Sequence, residues 1–340
     1  MKKPLRYLSA IILALAGSSS CFAADRFAGQ TITILVGSSA GGGYDTYARL
    51  VARHLGNYIP GKPDIIVRNQ AGAGSGSAAA VIYNSAPKDG TWIGAIFPGI
   101  MLHPILDKTS PLQFDPRKFQ FLGSADNSTR ICFTKVGSKT SSFEDARKQK
   151  TIVGASAAGG STRDYAYMLN NVAGAKFEVV SGYKGSAQLF LAIERGEVEG
   201  ICGIDWASLR AQRPDWVRRK EVNILVETAL EATPELTDLG VPTMWKYIQN
   251  DSDRQAAELI VSQQVFGRPY VVAPETPEDA VDDLRRGFEK VLADKDFLAD
   301  AAKSRVDITS VTGDRVQQLV ERIYNAQKLI QERAREIIQP

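Results

Sequence analysis

The chain has 340 residues, 44% of them hydrophobic, with 41 Lys+Arg against 38 Asp+Glu, two histidines and three cysteines. The whole cationic surplus of three lies in the first six residues, at Lys2, Lys3 and Arg6, so no global field favours nucleic acid or an anionic membrane. Two histidines and so few cysteines, without close spacing, give no metal motif, and no cofactor is implied.

The basic head leads into an apolar run, Leu8–Gly17, then Ser18-Ser19-Ser20 and Cys21-Phe22-Ala23. That is the three-part layout of a secretory signal, with cleavage after Ala23. The run is shorter than the roughly 20 residues a spanning helix needs. Acylation at Cys21 fits less well, because Ser18 stands where a lipobox carries Leu. Removal of residues 1–23 leaves about 317 residues, more than one core usually holds, so two lobes are expected.

Strand and helix patterns then alternate. Thr31–Val36 reads as a strand, and Tyr44, Ala48, Val51 and Leu55 follow at helical spacing. Ile65–Val67 is a short strand, Ala78–Tyr83 lies on a helix, and Trp92–Phe97 is a strand ending in a loop at Pro98-Gly99. Ile131–Lys135 and Thr151–Gly154 are strands, Arg163–Val172 a helix, Phe177–Val180 a strand and Ser186–Arg195 a helix. Val198–Cys202, Asn223–Val226 and Tyr270–Val272 are further strands. Pro277–Leu292 and Asp314–Gln331 are long helices. This alternation predicts α/β lobes with largely parallel sheets. Cys132 and Cys202 remain after export, either bonded or as two buried thiols; a separation of 70 residues leaves both open.

Gly41-Gly42-Gly43 sits between the first strand and the first helix. A helix start carries unpaired N–H donors and about half a positive charge, so it can hold an anion. Thr151–Ala155 followed by Ser156-Ala-Ala-Gly-Gly-Ser-Thr162 repeats the arrangement, with Ser161 or Thr162 as the expected N-cap. Two such loops at strand ends can face each other across a ligand cleft. Arg130 is a candidate carboxylate clamp. Asp205 either accepts from a ligand or caps the next helix, Trp206 reads equally as core or contact, and His103 reads as structural.

Gly37-Ser38-Ser39-Ala40-Gly41 also matches a G-x-S-x-G nucleophile elbow, which makes a hydrolase acting through Ser39 the enzymatic alternative. That fold needs a histidine late in the chain, and there is none after His103. A phosphate loop fails because Tyr44-Asp45 follows Gly43, and Gly72-Ala73-Gly74-Ser75-Gly76-Ser77 ends in serine where a dinucleotide fold has glycine.

Val36–Asp45, Ala48-Arg49-Leu50, Asn69–Gly74, Asp89-Gly90, Gly182–Ser186, Glu197–Gly200, Val241-Pro242-Thr243 and Ala273–Pro277 stand in an order that resembles the solute receptors of tripartite tricarboxylate transporters, the Bug receptors. The resemblance covers essentially the whole exported chain. It implies a periplasmic, two-lobed type II binding protein (a Venus flytrap) with two crossover segments, lobe one being residues 24–126 plus 228–340 and lobe two 127–227. It implies a monomer without catalytic residues that captures a small organic carboxylate, such as a di- or tricarboxylate, an acidic amino acid or an aromatic acid. The carboxylate passes to large and small integral membrane subunits; a sensory receptor with the same fold is the alternative.

Carried over by position, Ser38, Ser39, Ala40, Gly41, Gly42, Gly43, Tyr44 and Asp45 hold the ligand from one side, through backbone N–H groups and water. Ser156, Ala157, Ser161 and Thr162 supply donors from the other. Tyr183 and Asp205 line the cleft, and Pro98 and Gly99, with Phe97, lie beside it. The chain departs from the resemblance at Gly37-Ser38, where relatives begin the loop with proline and an aromatic residue, and at Gln70-Ala71, where they carry Arg-Pro.

Overall fold

A computed structural model describes residues 26–108, 114–127 and 129–340; the expected leader lies outside them. Eleven strands are described: β1 Thr31–Val36, β2 Asp64–Asn69, β3 Trp92–Ala95, β4 Gln120–Ser124, β5 Arg130–Lys135, β6 Thr151–Ala155, β7 Phe177–Ser181, β8 Gly200–Asp205, β9 Val222–Thr228, β10 Pro269–Val272 and β11 Val311–Thr312. They form two sheets, ordered β11-β4-β10-β3-β1-β2 and β7-β6-β8-β5-β9. Each sheet has its own helices and one buried apolar cluster of its own, and a further cluster takes residues from both. In the first, Tyr47, Ala48, Leu50, Val51 and Leu55 of helix Gly43–Leu55 turn inward beside Val281, Leu284 and Phe288 of helix Glu278–Ala293.

The sheets are mixed, which corrects the expectation of largely parallel ones. β1 runs parallel to β2 and β3, and β6 parallel to β7 and β8. β10 runs antiparallel to β3 and β4, and β5 antiparallel to β8 and β9. The parallel pairs are joined by helical crossovers, as parallel neighbours must be. The antiparallel strands are those beside the passages between sheets. β4 leaves the first sheet, β5 enters the second, β9 returns, and β10 inserts between β3 and β4. Arg130 of β5 pairs with Thr228 of β9, so both passages run side by side.

Elements that escape the sequence reading include β4, β11 and helices Phe143–Lys148, Pro214–Arg218, Pro234–Asp238, Asp251–Val261 and Lys295–Lys303. The expected single helix Asp314–Gln331 is two, Gly313–Tyr324 and Lys328–Glu336. Gln331 Nε2 donates to the carbonyls of Tyr324 and Ala326 at 3.0 Å each and so stabilises the break. No helix among the described residues is long and apolar enough to cross a membrane.

Cys132 on β5 and Cys202 on β8 form a disulfide across 70 residues of chain, which settles the alternative left open by the spacing. Closing a loop of that length restricts the unfolded chain and typically stabilises by about 2–4 kcal/mol. Reduction, or the paired change Cys132→Ser and Cys202→Ser, is expected to lower the melting temperature by several degrees in calorimetry. An unchanged transition would show that the bond contributes nothing to folding.

Candidate functional site

The first loop is built around one carboxylate. Asp45, in the first turn of helix Gly43–Leu55, accepts from the Gly41 N–H at 2.8 Å, from Arg49 Nε at 3.0 Å and from Asn69 Nδ2 at 2.9 Å. Burial alone would raise its pKa, but these donors hold it below the usual carboxylate value. Gly41 stands at φ +77°, which a side chain would resist. The remaining loop donors are engaged as well. Gly42 N–H donates to the Ser39 carbonyl at 3.4 Å, Gly43 N–H to Ser186 Oγ at 3.1 Å, and Ser39 N–H to the Lys184 carbonyl at 2.9 Å. The glycine triplet is therefore not an open anion cradle, contrary to the expectation: its N–H groups are satisfied by the protein.

The second loop repeats the device. Gly159 N–H donates to Asp164 Oδ2 at 3.1 Å. Asp164 is deeply buried, and desolvation outweighs its contacts with Arg163 and Gly159, which raises its pKa to about 6. Neither Ser161 nor Thr162 is the N-cap; Gly160 holds that position. Thr162 Oγ1 instead accepts from the Ser156 N–H at 2.9 Å, and Ser161 Oγ donates to the Gly203 carbonyl at 2.9 Å.

Between the loops lies a narrow cleft with about 40 Å³ of free interior. Ser38, Gly43, Tyr44, Pro98 and Gly99 line it from the first-sheet side, and Arg130, Ser156, Ser161, Thr162 and Asp205 from the second. The other candidates stand elsewhere. Asp45 braces the first loop. Ser39, Ala40, Gly41 and Gly42 lie off the cleft wall, and Ala157 and Tyr183 line a neighbouring crevice with Gly74 and Lys184. The Tyr183 hydroxyl donates to Glu197 at 3.2 Å. Trp206 is core, its indole N–H donating to Glu235 at 2.8 Å.

Asp205 and Arg130 face each other across the β5–β8 ladder. Arg130 Nη1 lies 3.3 Å from Asp205 Oδ1 and 2.6 Å from Ser161 Oγ. Arg268, immediately before β10, reaches Asp205 Oδ2 at 2.8 Å and Ser208 Oγ at 2.9 Å. Its guanidinium carbon lies 4.2 Å from the Tyr44 ring centre and 4.6 Å from that of Tyr47, at cation–π distance. All three charged groups are 3% exposed or less. Both arginines remain charged despite burial, in the field of Asp205. The Tyr44 hydroxyl donates to the Gly267 carbonyl at 2.9 Å, its ring rests 4.5 Å from Phe97, and burial raises its pKa. Nε and Nη2 of Arg130 make no well-aligned hydrogen bond among the described residues, although the Tyr44 hydroxyl lies close enough to favour the charged guanidinium.

Arg268, Gln263, Ser186, Ser208, Leu189 and Ile204 are the residues that sequence reasoning missed. Only Ser186 belongs to a motif, Gly182–Ser186. The one available signal was an arginine directly before the apolar run Tyr270-Val271-Val272, where an unpaired cation would be costly.

The hydrolase alternative finds no geometry. His54 contacts Asp300 at 3.2 Å, and His103 packs on Gly159. Ser39 Oγ has no hydrogen-bond partner among the described residues, so no base stands ready to activate it. No group of His, Cys, Asp and Glu among those residues is arranged to hold a metal.

No family model matches the chain. No curated protein matches it either. Solved structures do. A periplasmic binding protein, BugD, superposes with a TM-score of 0.70 at 19% identity, over 90% of this chain and 97% of that one. Rpa4515 of R. palustris, with adipate, gives 0.69 at 19%, over 89% and 97%. MatC of Rhodopseudomonas palustris, with bound malate, gives 0.67 at 18%, over 91% and 99%. The chain thus has the two-lobed α/β fold of type II periplasmic binding proteins.

Asp164 yields a pH signature. Its folded pKa of about 6 lies above the ordinary value of 3.8. The folded state therefore holds the proton more tightly. The stability that this group contributes is full below about pH 4 and is lost as pH rises through about 6. Asp164→Asn removes the titration. Measured against wild type, the variant should gain on the order of 2 kcal/mol between pH 4.5 and 7.5. A difference that does not change with pH would refute the raised pKa.

Proposed function

We propose that the chain is an exported solute receptor, not an enzyme. It captures a small organic carboxylate between its lobes and hands it to a membrane transporter with one large and one small integral subunit. On this reading the leader is cleaved after Ala23 and the product works in the periplasm as a monomer. Residues 24–126 with 228–340 form one lobe and residues 127–227 the other.

One observation carries the reading: a guanidinium buried in the cleft wall with its Nε–Nη2 edge unpaired. Those two N–H groups are parallel and match the two oxygens of a carboxylate. A buried donor left unsatisfied is costly, so a group that satisfies it is favoured. The carboxylates named with two structural neighbours, adipate and malate, support the same class of ligand. Nη1 is held by Ser161 and Asp205, so the free edge is fixed in direction before any ligand arrives, which lowers the ordering cost of binding. Burial away from water strengthens the contact further.

The lobes touch through backbone. A Cβ on Gly99 would stand 2.1 Å from the Gly159 carbonyl oxygen across the cleft. Gly99→Ala should fold normally but resist this approach, so affinity for a bound carboxylate falls at least tenfold in titration calorimetry while the melting temperature of the free protein stays within about two degrees. Arg130→Gln removes two charge-assisted bonds of about 1.5–3 kcal/mol each. It should abolish the thermal shift produced by a carboxylate panel. Retention of the wild-type shift by Arg130→Gln would refute the clamp.

A further inference from the structure

Two groups on the cleft wall are buried, polar and unpartnered, and they are of opposite kinds. One is the Nε–Nη2 edge of Arg130, a cationic pair of donors. The other is Oε1 of Gln263, an acceptor on a side chain only 3% exposed. Gln263 Nε2 donates to the Ile260 carbonyl at 2.8 Å. That contact fixes the amide, because turning it over would bring carbonyl oxygen against carbonyl oxygen. Oε1 lies 3.2 Å from where a Cβ on Gly99, itself a wall residue, would stand.

The other polar groups of the wall are largely satisfied among themselves. Ser156 and Thr162 share a 3.0 Å bond, Ser161 links Arg130 to the Gly203 carbonyl, and Ser208 lies between Arg268 and Asp205. Among the described residues Arg130 and Asp205 are the charged side chains that line the wall, and Arg268 stands directly behind it, paired with Asp205 through Nη2 while its Nε and Nη1 make no hydrogen bond. Tyr44, Phe97, Leu189 and Ile204 supply an apolar surface.

We propose that this cleft selects a monocarboxylate with an apolar body and a hydrogen-bond donor such as a hydroxyl. The carboxylate sits on the Nε–Nη2 edge of Arg130 and the donor meets Gln263 Oε1. This proposal rests on the receptor reading above and narrows it. A second carboxylate meets no second cation that lines the wall, because Arg268 stands behind the Tyr44 ring and is paired with Asp205, and it would be buried with Asp205 nearby. If it reached Gln263, it would set acceptor against acceptor. A plain apolar acid leaves Oε1 unsatisfied, and a donor at the right place removes that penalty.

The test uses the full exported chain in titration calorimetry with two matched sets of probes. The first is hexanoate, 6-hydroxyhexanoate and adipate; the second is benzoate, its three monohydroxy isomers and terephthalate. At least one hydroxy acid is expected to bind about tenfold more tightly than both its unsubstituted parent and its diacid. Gln263→Met should erase that preference. Equal or tighter binding of the diacids overturns the proposal. So does the absence of any hydroxyl preference in wild type, a ranking that needs no variant to fold, or a preference that survives in Gln263→Met. Failure of every acid to bind would instead overturn the receptor reading, and this proposal with it.

Discussion

The contact on which the site depends is the buried pairing of Arg268 with Asp205. One partner comes from the approach to β10 in the first sheet, the other from the end of β8 in the second. Asp205 also faces Arg130 on its own sheet. Two guanidinium groups and a carboxylate are thus withdrawn from water together, beneath the rings of Tyr44, Tyr47 and Tyr165. Desolvating such a group costs several kcal/mol per ion, and only close opposite charge and full hydrogen bonding offset it. Buried Asp126 adds its field to that of Asp205 around Arg268. The sheets therefore have little freedom to slide while closed, since a displacement of an ångström or two would strand a charge in a low dielectric. Arg130 inherits that rigidity: its Nη1 is tied down, and only its far edge is left for a guest.

The two loops show the same economy. Each places a glycine N–H on an aspartate in the first turn of the following helix, Gly41 on Asp45 and Gly159 on Asp164. The helix start, which could hold a foreign anion, is occupied by one from the chain itself. The two carboxylates nevertheless titrate in opposite directions. Asp45 gathers Arg49, Asn69 and Gly41, whereas Asp164 is as little exposed but has fewer donors to offset its desolvation. A shared loop geometry thus produces one permanently ionised brace and one that gains a proton under mild acid.

Periodicity made most of the fold legible. β1, the helices from Gly43 and Glu278, and the strand–loop–helix junctions follow from continuous apolar runs or spacing along one face, and the observed ends differ from the reading by a few residues. β4 was hidden because Gln120-Phe-Leu-Gly-Ser124 contains glycine and is short, and its pairing is supplied by a partner some 145 residues away. Strand direction was hidden for a related reason: local pattern records burial, not which way a returning chain must run. In the site, positions were legible where a loop carried glycine and serine in succession. Roles were less so. Asp45 reads as a ligand contact from the loop alone and is a brace once Arg49 and Asn69 are seen beside it. Gln263 gave no local signal and Arg268 only its place before an apolar run, because what matters about them is the partner each reaches, or lacks, in space.

The glycines take on a different meaning from the one their spacing first invites. Gly99 meets the Gly159 carbonyl, and Gly43 meets Ser208 Oγ, at distances that a Cβ would close to 2.1 and 2.4 Å. The absence of side chains here serves approach between the lobes more than exposure of N–H groups to an anion. Close approach brings Asp205 within reach of Arg268 and seals the cleft around Arg130 from the solvent. A guanidinium in bulk water discriminates poorly among anions, because hydration competes on nearly equal terms. The same group in a dry wall, held on one edge and open on the other, acts through geometry. Small residues at the seam and a large buried cation behind it are therefore two parts of one device: the first sets how closely the lobes meet, and the second makes that closeness chemically selective.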